Sequence, residues 1–184
     1  MQATKTLMEE HQVIIRVLKA LDKAATRLNN REPVSHGFFL DTAEFAKGFA
    51  DGCHHKKEEG VLFPAMVKAG LPADSGPIAV MLAEHEEGRR FTRAIRQAAE
   101  KMRSGDEAAS ADIVTNAFGY IKLLKQHIQK EDFILFPMAD KIIPMDQQSQ
   151  VNDEFERIEQ EETGEGVHDR YLALAERLEI AALQ

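Results

Sequence analysis

The chain repeats itself once, and this repeat limits its possible folds more than any other feature. The segment MEEHQVI around His11 corresponds to LAEHEEG around His85, 74 residues later. The segment that begins at His54, HHKKEEGVLFPAM, corresponds to HIQKEDFILFPMA, which begins at His127, 73 residues later. Because a repeat of this kind marks one supersecondary unit, we expect two copies of the same unit.

Apolar residues recur at steps of three and four residues in both copies, which is the period of an amphipathic helix. No stretch of convincing length alternates with the two-residue period of a strand, so we predict an all-α fold. Four long helices joined by short polar connectors favour an up-down-up-down four-helix bundle. The predicted helices run from about residue 4 to 29, from near Ser35 to Gly70, from Asp74 or Ser75 to the RSGD segment, and through Ile113 and Phe136 to near Pro144.

The last part of the chain differs from the repeat in its pattern. We predict a bundle over residues 1–145 and a helical extension over residues 146–184, which holds two short helices around the TGEG segment. The last helix is amphipathic through Leu174 and Leu178. Its apolar face is expected to pack on the bundle or to form a homodimer contact, and the sequence does not decide between these alternatives.

Composition and charge exclude several classes of function. The net charge of -8 argues against non-specific binding to nucleic acid and against an anionic membrane surface. The N-terminus lacks a basic stretch followed by an apolar run, so we expect no signal peptide. No apolar run approaches the ~20 residues that cross a bilayer. The single cysteine, Cys53, excludes an internal disulfide and a multi-thiolate metal site, and we expect a cytoplasmic protein.

The spacing within the repeat is that of metal ligands on a helix. Residues four apart in an α-helix lie on the same face, one turn along the axis. His54 with Glu58, and His127 with Glu131, therefore each present an imidazole and a carboxylate together. Packing the two units against each other would add His11 and His85, giving four histidines and two glutamates.

This set of ligands suits two first-row metal ions, iron in particular, because carboxylates prefer hard cations and imidazole suits iron, zinc and copper. Each ion would take two terminal imidazoles, while both carboxylates bridge the pair. With an added oxo or hydroxo bridge, each ion would have about five ligands and could leave one position open.

The motifs HHKKEE, AEHEEGR and HIQKED with the trailing LFP, together with His11, resemble the hemerythrin-like, HHE cation-binding family. The resemblance covers roughly residues 1–143. It implies a four-helix bundle that holds a non-haem di-iron centre. Members of this family bind or sense dioxygen, handle iron, or respond to nitric oxide and oxidative stress. By position, the resemblance assigns the metal ligands as His11, His54, Glu58, His85, His127 and Glu131.

The chain departs from the oxygen-carrying hemerythrins at one position. Those proteins have five histidines, two of them four residues apart on the third helix, whereas the position four after His85 is Arg89 here. An arginine cannot act as a metal ligand. We therefore expect a more symmetric centre of four histidines and two glutamates, and a role other than simple oxygen transport.

The predicted function is that of a di-iron protein that binds dioxygen, nitric oxide or peroxide in oxidative or nitrosative stress response or in oxygen sensing. Any catalysis would be redox chemistry of the metals, such as a weak peroxidase or catalase-like activity. The alternative is a non-enzymatic iron-binding or iron-sensing module that signals through its C-terminal tail. A third possibility is a structural bundle whose histidines hold zinc.

Residues next to the predicted ligands carry weaker signals. His55 lies about 100° around an α-helix from His54, so both imidazoles could face one centre only if the helix were distorted. We expect His55 to orient a ligand or to lie at the surface. Glu59 and Asp132 are expected to face solvent or to orient a histidine. His168 is a weak ligand candidate, and Cys53 is expected to be a small core residue.

Overall fold

The computed structural model describes residues 1–163 and 166–183, and these residues form helices and connecting turns without any strand. The prediction of an all-α chain is confirmed for the described residues. The α-helices are α1 (Gln2–Asn29), α2 (His36–Phe45), α3 (Phe63–Lys68), α4 (Gly76–Arg103), α5 (Ser110–Lys130), α6 (Phe136–Ile142), α7 (Met145–Arg157) and α8 (Val167–Ala181). A short 3₁₀ turn, Glu107–Ala109, precedes α5.

Wider, π-helical turns interrupt several of these helices. The segments Glu58–Leu62 and Glu131–Leu135 occupy equivalent positions in the repeat, and each ends where a Phe-Pro pair opens the next α-helix. A proline lacks the N–H for the i→i−4 hydrogen bond, and its ring crowds the carbonyl of that residue. The wider turn relieves this conflict, and π-turns of this kind are frequent at functional sites. Two further π-helical segments are Ala46–His55 and Ile158–Thr163.

The buried apolar residues form two separate clusters, with a layer of buried polar residues between them. Along α1, residues 3–7 belong to one cluster and residues 14–25 to the other, while Glu10 and His11 lie between them. α4 passes from the smaller to the larger cluster at His85, as α1 does. The helical runs through His54 and His127 both pass the other way, from the larger cluster to the smaller. Every long helix therefore crosses the polar layer once.

The helix contacts place the C-terminal part of the chain against the repeat. α4 packs along α5 and α2, α5 packs along α1, and α8 contacts both α1 and α2. Tyr171, Leu174 and Leu178 of α8 are buried in the larger cluster, whereas Ile180 and Leu183 are 58% and 72% exposed. One face of α8 is thus covered by the chain itself.

The phenylalanines differ in burial. Phe49, Phe63 and Phe136 lie in the two apolar clusters, whereas Phe118 is 37% exposed and belongs to neither cluster. The expected TGEG break falls partly on residues 164 and 165, which lie outside the described residues; α8 begins directly after Gly166. Among the described residues, no helix is long and apolar enough to cross a membrane.

Candidate metal centre

The six residues predicted as metal ligands come together in the polar layer. All of them are buried, with at most 2% of each residue exposed. Their side chains approach from four different helical segments, and their ring nitrogens and carboxylate oxygens face one another. The four are α1 with His11, the run after α2 with His54 and Glu58 in its two π-helical segments, α4 with His85, and the run of α5 with His127, whose following π-helical segment begins at Glu131.

Each glutamate contacts one histidine from each half of the repeat. The two oxygens of Glu58 lie 3.5 Å from Nε2 of His54 and 3.4 Å from Nε2 of His85. Oε2 of Glu131 lies 3.2 Å from Nε2 of His11 and 3.2 Å from Nε2 of His127. Two ligand atoms on one metal ion are commonly about 3 Å apart, since each lies about 2.0–2.2 Å from the ion. Each carboxylate therefore lies where it could contact ions held by histidines of both halves.

A carboxylate holds the outward-facing nitrogen of every one of these histidines. Nδ1 of His11 lies 2.7 Å from Asp132, and Nδ1 of His85 lies 2.7 Å from Glu59. These two contacts cross between the halves of the repeat. The contacts within each half are His54 Nδ1 to Glu10 at 2.9 Å and His127 Nδ1 to Glu84 at 2.9 Å.

These contacts determine the tautomer of the imidazoles. An ionised carboxylate only accepts hydrogen bonds, so each Nδ1 carries a proton, and in the neutral imidazole Nε2 keeps its lone pair. The same carboxylate–histidine arrangement orients the ligands of metal sites. In this tautomer, Nε2 of His85 and Nε2 of His127, which lie 3.1 Å apart, face each other as two lone pairs. A cation between the two nitrogens would relieve their repulsion.

Six of the inward-facing atoms lack hydrogen-bond partners among the described residues. These atoms are fully enclosed, and burying an unpaired polar atom is costly. A cation with nitrogen and oxygen ligands would satisfy all of them, so the residues present fit a metal pair. The atoms are Nε2 of His11, Nε2 of His54, and both carboxylate oxygens of Glu58 and Glu131.

The pKa values of Glu58 and Glu131 are shifted in opposite directions. Burial and the neighbouring Glu131 raise the pKa of Glu58 well above its usual range. Burial also tends to raise the pKa of Glu131, but the imidazoles of His127 and His11 outweigh it and hold that pKa well below its usual range. The metal-free centre therefore favours one neutral and one charged carboxyl group, since two like charges at this spacing repel.

His55 also lies at this centre, which the helical spacing did not predict. It is buried at 4% exposure, and its ring stacks on that of His85 with centroids 3.8 Å apart. One ring nitrogen of His55 lies within 4.8 Å of ligand atoms from Glu58, His85 and His127. The helix between Ala46 and His55 is π-helical, and its wider turn reduces the angle between successive side chains. The distortion that two adjacent inward histidines require is thus present.

The other candidates lie away from the inward-facing ligand atoms. Cys53 is buried at 1% exposure. Its Sγ lies 3.9 Å from Glu10, which is not one of the predicted ligands. Nδ1 of His168 lies 3.4 Å from Glu159, and its ring contacts Phe49. Glu59 and Asp132 take the orienting role that was one of their two predicted alternatives.

Glu10 and Glu84 were missed in the sequence, although a signal for them was available. Each directly precedes a histidine of the repeat, so they are equivalent positions. The amino groups of Lys57 and Lys130, which are also equivalent, form salt bridges with Glu10 and Glu84 respectively. A systematic comparison of all charged residues at the repeat offset would have found these contacts as two matching pairs.

The profile of the hemerythrin HHE cation binding domain matches residues 2–139. The Mycobacterium tuberculosis (strain H37Rv) protein Rv1995 is 24% identical over 163 residues, which cover 89% of this chain and 63% of that protein. The iron-sulfur cluster repair protein YtfE of Escherichia coli O81 is 36% identical over 89 residues, which cover 47% of this chain and 40% of YtfE. The chain therefore spans less than two thirds of the length of these relatives. No solved structure matches it.

Proposed function

The chain belongs to the hemerythrin HHE cation binding domain family, and from this premise we propose that it is a non-haem di-iron protein. Its iron pair binds a small diatomic molecule or peroxide at an open position, in oxidative or nitrosative stress response or in oxygen sensing. The proposed ligands are His11, His54, Glu58, His85, His127 and Glu131.

One observation carries this proposal above the others. Among the described residues, the enclosed ring nitrogens and carboxylate oxygens that lack hydrogen-bond partners all belong to proposed ligands, apart from single ring nitrogens of His36 and His168. Each proposed histidine ligand has its other nitrogen held by a carboxylate. A surface ion pair or a histidine buried only for packing would need neither feature, whereas a metal site needs both.

The proposed fold is an up-down-up-down bundle over residues 1–145 with a helical extension over residues 146–184. The alternating order in which successive helices meet the two apolar clusters supports this topology. The contacts of α8 with α1 and α2 support an extension that packs on its own bundle. A homodimer through the C-terminal helices stays a prediction.

The residues around the ligands supply orientation and a dry environment. Phe136 stacks on His11 at 5.5 Å, and its repeat equivalent Phe63 stacks on His85 at 6.0 Å. These rings shield the imidazoles from water, which strengthens electrostatic interactions inside the centre. The orienting carboxylates hold the protons on Nδ1 and so keep every Nε2 free to act as a ligand. Two irons held there would supply redox chemistry, and a weak peroxidase or catalase-like activity is the enzymatic form of the proposal.

The relative YtfE is named for iron–sulfur cluster repair. Because the chain covers 40% of YtfE, we carry over only a role that involves iron, and the physiological ligand is left to experiment.

Metal analysis with optical spectroscopy tests the proposal. We expect two irons per chain and near-ultraviolet charge-transfer bands that change on exposure to oxygen, peroxide or nitric oxide. The double variant Glu58→Ala/Glu131→Ala should lose both the iron and the bands, while Glu9→Ala, at an exposed position of α1, should keep both. One zinc per chain without such bands would instead support the structural zinc bundle.

A second candidate, an iron-sensing module that signals through its tail, is favoured by one contact. The Lys57 amino group lies 2.5 Å from Glu10, which orients His54, and 3.4 Å from Glu159 of the C-terminal part. Occupancy of the centre could therefore alter how residues 146–184 dock. Limited proteolysis of the metal-free and di-iron proteins tests this candidate. Equal protection of residues 146–184 in both forms would exclude it.

A further inference from the structure

The symmetry of the centre is broken at three positions. The repeat equivalents of Asp51, His55 and Arg89 are Leu124, Ile128 and Ile15, so each of these polar residues has an apolar equivalent in the other half. Leu124 and Ile128 are buried. The ligands and their orienting carboxylates, by contrast, are matched pair by pair between the halves. Asp51, His55 and Arg89 are therefore an addition to one side of the centre.

The three added residues contact one another in a chain. Nδ1 of His55 lies 2.8 Å from Oδ1 of Asp51, which also lies 3.2 Å from Nε of Arg89. His55 thus has the same outward carboxylate contact as the four proposed histidine ligands. With its proton on Nδ1, its Nε2 keeps a lone pair and is the nitrogen available to a metal.

Arg89 connects this addition to an existing ligand. Its Nη2 lies 2.7 Å from Glu59, the carboxylate that orients His85. The guanidinium therefore holds two carboxylates at once, those behind His55 and His85, whose rings stack with an interplanar angle of 15°.

We propose that His55 is a fifth imidazole ligand, which binds the same metal ion as His85 and His127, with Asp51 and Arg89 as its positioning residues. The ion on the His11 and His54 side then has two imidazoles and the other ion has three. The four-histidine, symmetric centre expected from the sequence becomes an asymmetric one. This inference rests on the proposed di-iron function and assigns the fifth imidazole to the helical run after α2 rather than to α4.

Proton NMR of the iron-loaded protein in water counts the imidazole ligands directly. Each ligand keeps an exchangeable Nδ1–H, and a nearby paramagnetic iron shifts its resonance strongly. We expect five such resonances in the wild type and four in His55→Phe, which keeps a flat ring against His85 but has no ligand nitrogen. His36→Phe, at the start of α2, is the control and should keep five.

A wild-type protein that holds two irons but gives four shifted resonances would overturn the inference and leave the di-iron function intact. Five resonances in His55→Phe would overturn it as well. A wild type without iron would instead contradict the proposed function. If His55→Phe fails to fold, a crystal structure of the iron-loaded wild type decides. We expect Nε2 of His55 about 2.0–2.2 Å from one iron, and a distance beyond bonding range rejects the assignment.

Discussion

Lys57 and Glu10 form a salt bridge of 2.5 Å in which the lysine side chain is 0% exposed and the glutamate side chain 3%. Glu10 also accepts the contact from Nδ1 of His54, so the ion pair lies directly behind a proposed ligand. Burial tends to raise the pKa of Glu10, but His54 and Lys57 together lower it. The carboxylate therefore stays ionised and keeps the proton of His54 on Nδ1.

Replacing Lys57 by methionine should destabilise the protein strongly. The change removes one partner of a buried pair and leaves the charge of Glu10 without compensation, which costs about 3–5 kcal/mol. Urea unfolding of the metal-free protein measures this loss. Lys47→Met, at an exposed position of the same helical run, should change the free energy of unfolding by about 0.5 kcal/mol or less. Similar values for the two variants would contradict the buried pair.

Glu58→Gln should have opposite effects on stability and on iron binding. In the metal-free protein, burial and the neighbouring Glu131 raise the pKa of Glu58, so folding favours its protonated, neutral form. Glutamine is neutral at every pH, so we expect the free energy of unfolding at pH 8 to rise by about 0.5–2 kcal/mol. The iron content should fall below that of the wild type, because the bridging ligand is lost. A metal-free variant less stable than the wild type would contradict this account.

The repeat made much of the centre predictable. Equal motifs produced equal local geometry: the π-helical turns start at Glu58 and at Glu131, and a Phe-Pro pair follows each. The spacing from His54 to Glu58 therefore indicated which side chains share a face, even though the helix is not regular there. Glu59 and Asp132 are repeated as well, but the sequence left open whether they face solvent or orient a histidine.

The residues whose roles could not be predicted from spacing are those that differ between the two halves of the repeat. The inward direction of His55 depends on π-helical turns from Ala46 onward, and the 100° step of an α-helix excludes this direction. Arg89 was recognised as a residue that cannot bind a metal, but its contacts with Asp51 and Glu59 depend on the packing of α4 beside the π-helical segment. Such contacts between helices follow from tertiary structure rather than from periodicity.

His11 should make the metal-free protein less stable as the pH rises from 6.5 to 9. Burial tends to lower the pKa of His11, but Asp132 and Glu131 outweigh it and raise the pKa from 6.5 to about 9. A raised pKa in the folded state gives stability that is complete below pH 6.5 and is lost as the pH passes 9. Burial lowers the pKa of His54 to about 4 and that of His55 well below 6.5. Both take up protons on unfolding near pH 6.5 and oppose the slope there, so the contribution of His11 is measured above that pH.

Urea unfolding of the metal-free protein at pH 7.5, 8 and 9 checks this dependence. Asp132→Asn should flatten it, since the variant removes one of the carboxylates that hold the proton on His11. Iron-loaded protein should lack this component of the slope, because the metal takes the place of the proton. A metal-free protein whose stability increases toward pH 9 would show that His11 does not hold a proton there.

The thiol of Cys53 should react slowly in the folded protein. Burial, followed by the charge of Glu10, raises its pKa from 9.0 to about 11. The thiolate fraction at pH 8 falls by about 100-fold for a shift of this size, and the side chain is enclosed as well. Alkylation by iodoacetamide should therefore be at least ~100-fold slower than in the same protein unfolded in denaturant. Equal rates in the two states would favour a reactive, redox-sensing thiol.

Gly48→Ala should loosen α8 from the helical run after α2. A Cβ atom at Gly48 would lie 1.7 Å from the hydroxyl oxygen and 1.9 Å from Cζ of Tyr171, whose ring is buried against Phe45 and Phe49. Overpacking of this kind costs about 1–3 kcal/mol, and cleavage within residues 146–184 should become faster in limited proteolysis. Gly60→Ala is the matched control, because its nearest neighbour, Cδ1 of Ile158, lies 4.0 Å away. If the two variants are equally stable and equally resistant, α8 does not lie against Gly48 in solution.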